Sequence, residues 1–399
     1  MIRGDIEEHD VSACASAWEW YSTIRVRELE DIRDVEALHE YWNTLLASTD
    51  NAVFSTWEWA TCWWKHFGEG RRLRVLVAEN GGRAIAIAPL MLSNYKYMRF
   101  GKLRKIEFLG SPQSDYNHLI LSENQSECTR LFVKHIEGLH DWDHLELRDV
   151  LEDSTSARLL CDYSVTSPWR LDKRALPPAP YIILPPTFEG LLSRLRSGMR
   201  RHIARLERRL RERYQIDLKT YKDFSSVQEA MDVMFELHQK RRRSISDTPS
   251  AFAAPRTREF HSELAAVFAA NGWLNLNFLT ADDEAIAATY CFDYRGKTYF
   301  YQGGFDPRFS RYAVGTLLHL RNIEGSIRRG LREYDFLRGA DAYKLSWPVH
   351  VRRSLAIGFA RRKLLAKVLW VYSEKRRQLG QILRRVDETS LEYSGLPET

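Results

Sequence analysis

Apolar positions recur with helical spacing over residues 34–47, where Val35, Leu38, Trp42, Leu45 and Leu46 share one face, and this predicts a helix. A second helix is expected over 57–67, opened by Ser55 or Thr56 as its cap. Residues 73–79 then alternate as a strand, Asn80-Gly81-Gly82 marks a hairpin turn, and 83–92 returns as a strand. Short strands to about Leu121, a helix near 126–140 and a strand at 144–148 follow. A proline-rich stretch over 167–187 reads as a crossing between two halves. Beyond it the pattern predicts an arginine-rich helix at 194–213, a strand at 215–221 and helices near 225–243 and 256–270. Strands at 273–280, 284–293 and 297–303, a helix at 314–329 and a strand at 333–337 follow, with a long basic helix over 359–386.

The pattern repeats. Residues 73–86 lie over 274–287 without a gap, with Leu73/Leu274, Ala84/Ala285, Ile85/Ile286 and Ala86/Ala287 identical. In both copies a helix ending at an equivalent phenylalanine, Phe67 or Phe268, precedes the hairpin. Four identities alone are weak, but the shared helix, strand, turn and strand order favours duplication. A chain of 399 residues suits two packed domains, and 44% apolar with 28% charged residues is an ordinary globular balance. The 59 basic and 53 acidic residues leave a net charge of +6, so the location of the cations matters more than their number.

Composition and motifs exclude several classes. The five cysteines are scattered singly with no CxxC pair, as expected of free thiols in a reducing compartment. Acidic residues Asp5, Glu7, Glu8 and Asp10 oppose a signal or transit peptide, and no run of about 18 apolar residues predicts a membrane span. The expected location is cytoplasmic, with the C-terminal basic helix a candidate for peripheral contact with an acidic membrane. No P-loop, GxGxxG or GxSxG signature is present. His135, His140 and His144 lack a zinc-ligand spacing with cysteines, so no metal is expected.

The second half carries more specific residues: TYFYQGGFDP over 298–307, FSRYAVGTLL over 309–318 and YDFLRGADAYKLSW over 334–347. The first half carries FSTWEW over 54–59, the Gly81-Gly82 hairpin running into Ile85–Leu90, and Phe108-Leu109-Gly110 followed by Asp115-Tyr116. Over roughly residues 23–358 the chain resembles the CelD/BcsL-type acetyltransferases of bacterial polysaccharide loci. That is a branch of the GNAT superfamily similar to the Fem-type peptidyltransferases, and 335–344 is its most specific match. The resemblance implies an α/β fold of tandem GNAT-like domains, each a mixed, mostly antiparallel sheet flanked by helices, plus a C-terminal basic helix. The expected divisions are a flexible tail at 1–22, an N-terminal half at 23–170, a C-terminal half at 171–358 bearing the acyl-carrier site, and a basic helix and tail at 359–399.

It also implies an N-acyltransferase that uses acetyl-CoA or another acyl-CoA as co-substrate and acts on a small-molecule or glycan-precursor amine in envelope or exopolysaccharide synthesis. GNAT folds bind the carrier pyrophosphate at an Arg/Gln-x-x-Gly-x-Gly/Ala turn opening a helix, where free N–H groups and the positive helix end meet an anion. The matching stretch is Arg311, Val314, Gly315 and Thr316, in which only Gly315 keeps the pattern's small residue. This departure leaves open an acyl carrier protein or, in a Fem-type alternative, an aminoacyl-tRNA as donor. A non-catalytic binding protein is the third reading.

Asp341, Tyr343 and Lys344 follow the strand at 333–337, at the end that faces the ligand crevice of an α/β sheet. They are the catalytic candidates, as base, proton donor to the thiolate and anchor for an anionic substrate. The bland alternative is a helical cap, a packed ring and a solvated cation. Asp306 and Tyr301 are further substrate-binding candidates. Arg200 and Arg201, among nine arginines around the stripe Leu195, Met199, Ile203, Leu206 and Leu210, are candidate phosphate contacts or simply a solvated face.

Overall fold

The computed structural model describes residues 24–49, 52–97, 101–166, 171–245 and 249–360. The tail expected at 1–22 lies outside them, as does the basic helix beyond Ala360. The first part of the chain forms β1 (Arg25–Leu29), α1 (Ile32–Glu36), α2 (His39–Ala47), α3 (Trp57–Phe67), β2 (Arg72–Asn80), β3 (Arg83–Tyr97), β4 (Gly101–Phe108) and β5 (Ile120–Leu121). Next come α4 (Gln125–Gly138), β6 (His144–Leu151), α5 (Thr155–Thr166) and β7 (Leu171–Ala175). The second part forms β8 (Ala179–Ile183), α6 (Phe188–Arg194), α7 (Ser197–Arg211), β9 (Ile216–Thr220), α8 (Val227–Ile245), α9 (Pro255–Ala270), β10 (Leu274–Ala281), β11 (Glu284–Tyr294) and β12 (Lys297–Phe305). It ends with α10 (Val314–Arg328), β13 (Glu333–Asp335), α11 (Ala342–Leu345), β14 (His350–Arg352) and β15 (Ser354–Ala360).

Two mixed sheets result. One runs β1-β2-β3-β4-β6-β15-β7, the other β9-β10-β11-β12-β13-β8-β14. The repeat read from the sequence is structural. In the first hairpin the register shifts between Ala78 and Glu79, in the second between Leu279 and Thr280, and these positions coincide in the repeat. The bulged residues are the identical Ile85 and Ile286, both buried. Each sheet then joins its fourth strand to a parallel one, β4 to β6 and β12 to β13.

The boundaries expected at 170 and 358 are not where the sheets divide. Strand β7, inside the expected second half, and the last strand β15 pair within the first sheet, whereas β8 lies antiparallel to β13 in the second. The long basic helix expected from 359 therefore does not begin there, because Phe359 and Ala360 continue β15. The helix expected over 34–47 divides at Ala37–Leu38, although Val35, Leu38, Trp42, Leu45 and Leu46 are all buried as its periodicity required. The arginine-rich helix divides too, because Leu195 is extended and separates α6 from α7. The strand expected over 333–337 pairs only at Glu333–Asp335.

The halves share one aromatic core. Trp59 of α3 meets Phe260 and Phe292 at ring separations of 5.6 and 6.1 Å, and Phe54 meets Tyr299 at 5.8 Å. Lys65 and His66 of α3 both reach Glu263 of α9 at 2.8 Å, a clamp across the same boundary. The outer faces bury separate cores under α4 and α5 and under α6, α7 and α10. Helix α8 crosses β12 so closely that a Cβ on Gly304 would overlap the Leu237–His238 backbone. Gly304→Ala is expected to lower stability by about 1–3 kcal/mol, the usual scale of overpacking, as measured by urea unfolding. No helix among the described residues is long and apolar enough to cross a membrane.

Candidate functional site

The site begins where two parallel strands part. β12 and β13 pair only from Lys297/Glu333 to Tyr299/Asp335, yet β12 continues to Phe305. Opposite β11 its register shifts at Tyr290/Cys291, which face Gln302 and Phe300, so Tyr301 is the extra residue of a bulge. A bulge bends and twists the strand. The two backbones therefore diverge as a wedge, with the rest of β12 on one side and residues 336–344 on the other.

Lys344 closes the narrow end. Its Nζ donates to the carbonyls of Phe336 at 2.9 Å and Arg338 at 3.1 Å. An ammonium has three protons, so one remains for another acceptor. Burial depresses the Lys344 pKa, partly opposed by Asp341, Asp115 and Asp335. Asp341 is exposed, its Oδ2 is 3.9 Å from Lys344 Nζ, and its backbone carbonyl starts α11. Its side chain makes no capping hydrogen bond. The Tyr343 ring stacks on His319 of α10, with centroids 5.8 Å apart, and burial raises its pKa. Arg241 of α8 donates to the Gly303 carbonyl at 3.3 Å and lies over the Phe305 ring at 6.0 Å. It also acts electrostatically on Tyr343 and Lys344.

The wide end is the start of α10. Ala313 precedes it in the left-handed region (φ 50°, ψ 44°) and has no side chain able to cap. The first helical bond runs from Leu317 N–H to the Ala313 carbonyl, which leaves the N–H groups of Val314, Gly315 and Thr316 without an intrahelical acceptor. A Cβ on Gly315 would meet only Phe305 Cδ1, at 3.7 Å, so the space before this turn is open. Arg311 is exposed, with its guanidinium over the Tyr312 ring at 4.9 Å. Phe305 and Arg241 thus connect the Gly315 turn to the residues around Lys344.

The other expected residues lie elsewhere. Asp306 caps the turn after β12, accepts the Arg308 N–H at 2.9 Å and pairs with Arg308 and Lys240, which hold its carboxyl below the usual range. Saturated by these cations, it is a structural cap. Tyr301 points to the first half, where its OH donates to the Gln113 carbonyl at 3.1 Å. Arg200 and Arg201 are exposed on α7, whose Ile203, Leu206 and Leu210 are buried on the second core, and no described contact joins them to the crevice.

Sequence reasoning missed a buried polar strap between the halves, directly behind Lys344. Asp335 is fully buried and receives the Tyr116 hydroxyl at 2.9 Å, Arg352 Nη1 at 2.7 Å and the Leu337 N–H at 2.7 Å. Arg338 bridges Asp115 at 3.1 Å and Asp149 at 3.0 Å. Burial raises Asp335 to about 6 and Asp115 to about 7, against the pull of Arg352 and Arg338 respectively. Tyr116, Asp149 and Leu337 all sit at positive φ, 54°, 60° and 57°. Non-glycine residues there cost roughly 1–2 kcal/mol each, so the surrounding packing holds these turns in place. The sequence signal for the strap was the pairing of Asp115-Tyr116 with the 335–344 segment in one resemblance, but nothing local shows that they touch.

Residues 197–345 match the model of the acetyltransferase (GNAT) domain. Among solved structures, that of FemX is 10% identical with a TM-score of 0.57, and the match covers 83% of this chain and 98% of that one. A conserved protein of unknown function from Bacteroides thetaiotaomicron is 12% identical with a TM-score of 0.52, covering 84% and 100%. No curated protein matches the sequence. The chain therefore has a GNAT-type acyltransferase fold, and its second half carries the matched acetyltransferase domain.

Proposed function

We propose that this protein is an N-acyltransferase of the CelD/BcsL type that moves an acyl group from acyl-CoA, or a related thioester, to an amine in envelope or exopolysaccharide synthesis. The observation that carries the reading is the parting of β12 from β13 beside Lys344, together with the uncapped start of α10 beside the far end of β12. Carrier phosphates would meet the N–H groups of Val314, Gly315 and Thr316, with Arg311 beside them. The pantetheine would lie along β12 in place of a neighbouring strand. The amine nitrogen attacks the thioester carbon, the C–N bond forms, the C–S bond breaks, and the sulfur leaves as a thiolate.

Proximity supplies much of the rate. The unused Lys344 proton suits the developing oxyanion, which alters the role expected from sequence, an anchor for an anionic substrate. Exposed Asp341 suits acceptance of the amine proton. Tyr343 stays protonated because its pKa is raised, so it can hydrogen-bond the departing thiolate rather than protonate it outright.

Fem-type proteins usually carry a helical arm within the second half; α7 and α8, at the places where a reduced arm is expected, both bury apolar faces, and no long coiled-coil arm is present among the described residues. Acetyl-CoA and longer acyl-CoAs are expected to raise the melting temperature; stabilisation approaches about 2.7 kcal/mol at a hundredfold excess over Kd. Gly315→Val should keep the fold, given the space around Gly315, and weaken that binding at least about tenfold in calorimetry, about 1.4 kcal/mol. Absence of stabilisation by every acyl-CoA would remove coenzyme A as donor and direct the search to acyl carrier proteins.

A further inference from the structure

A cleft of about 390 Å³ lies between the halves, at the start of β12. Its floor includes Tyr299, the last β12 residue paired with β13, together with Tyr116 and Arg352, which both hold Asp335. Its second-half wall carries Arg295, Lys297 and Arg332. Asn117, Ser154 and exposed Asp153 face them from the first half.

The cations are not equivalent. Lys297 and Arg352 both pair with Glu333. Arg295 and Arg332 are exposed, and neither pairs with a carboxylate among the described residues. They are nonetheless arranged together: Arg332 Nη2 donates to the Arg295 carbonyl at 3.3 Å, and its guanidinium lies against Gly296, where a Cβ would come within 3.1 Å of it. A side chain at 296 would displace that guanidinium. Lys297 and Arg352 are offset by Glu333 and Asp335, which leaves Arg295 and Arg332 as the cleft's uncompensated cations, and arginine forks match phosphate oxygens. Arg295 stands in the turn before β12, and from Lys297 to Tyr299 the strand climbs about 7 Å. A ligand anchored at the mouth by an anion thus reaches the point where the strands part.

We propose that this cleft holds the acceptor, and that the acceptor is an amine bearing a phosphate or pyrophosphate, its anion bound by Arg295 and Arg332. The assignment of the ligand as acceptor rests on the acyltransferase reading; the anion site does not. Calorimetric titration of inorganic pyrophosphate into the full chain tests the site by itself. Affinity is expected to fall at least about tenfold (about 1.4 kcal/mol) in the R295A/R332A double variant and to persist in Gly315→Val. Loss in Gly315→Val with retention in the double variant would place the anion at the α10 turn and overturn the proposal, as would no binding to the wild type. Acetyl transfer to glucosamine, glucosamine 6-phosphate and uridine diphosphate glucosamine tests the acceptor class. Preference for either phosphorylated amine, lost through KM in the double variant, supports it and tells a sugar phosphate from a nucleotide-linked sugar. Equal use of free glucosamine overturns it. Pyrophosphate binding as expected with no transfer to any amine would leave the anion site standing and sink the transferase reading.

Discussion

Lys344→Ala is expected to reduce acyl transfer by about 10²–10³-fold in kcat, the scale for removing one donor from an oxyanion site. It is also expected to cost stability, which sequence alone did not suggest. Read as a loop cation, Lys344 should be removable without thermal consequence. In the fold it is buried and satisfies the carbonyls of Phe336 and Arg338. Those carbonyls follow β13, past the point where it pairs with β12, so no backbone donor of β12 replaces the ammonium. An unsatisfied buried carbonyl costs about 1–3 kcal/mol. The two effects are separable. Lys344→Arg keeps the charge but places a planar fork where a compact ammonium sat; it should retain more stability than alanine and little transfer. Asp341→Ala should lower kcat with the melting temperature nearly unchanged, because the Asp341 side chain is exposed and caps nothing. Measuring kcat beside thermal unfolding for all three variants checks the assignment. Wild-type turnover in Lys344→Ala would remove Lys344 from the chemistry.

Features governed by neighbours in sequence were legible. The hairpins, their turn residues and the apolar faces of α2, α3 and α10 follow from local periodicity. The alignment of Ile85 with Ile286 even marked a bulge, though the sequence showed it only as an identity. The return of β7 and β15 to the first sheet was not legible. Strand β7 (LDKRA) is a half-exposed edge with no apolar alternation, and β15 finds its partners β6 and β7 far back along the chain. Nothing in a short window states which sheet a five-residue strand will join. The candidate site divided in the same way. Gly315 and Lys344 could be named as candidates because each sits in a recognisable segment. Arg241, His319 and Asp335 were missed because only tertiary packing turns them toward that place. Asp306 offered two readings, a substrate contact or the turn of Asp306-Pro307, and its pairing with Arg308 and Lys240 favours the turn.

Arg352→Met is expected to destabilise the protein by about 3–5 kcal/mol at neutral pH, the range for breaking a buried ion pair by removing one partner. Arg352 pairs with both Glu333 and Asp335, and Asp335 is completely buried. Methionine fills part of the volume but leaves Asp335 without its cation and Glu333 with Lys297 alone. Burial raises the folded pKa of Asp335 from 3.8 to about 6 even with Arg352 present. The folded state therefore binds more protons than the unfolded state between roughly pH 4 and 6, and stability from this group falls as pH rises through that window. Without Arg352 the folded pKa climbs further, which extends the window upward. The deficit of Arg352→Met relative to wild type should therefore shrink as pH is lowered from 7 toward 5, because a protonated Asp335 no longer needs the guanidinium. Urea unfolding of both proteins at several pH values measures this directly. A deficit that stays constant or grows on acidification would show that Arg352 acts through packing over the Tyr181 ring, 3.6 Å from its guanidinium carbon, and not through the charge of Asp335.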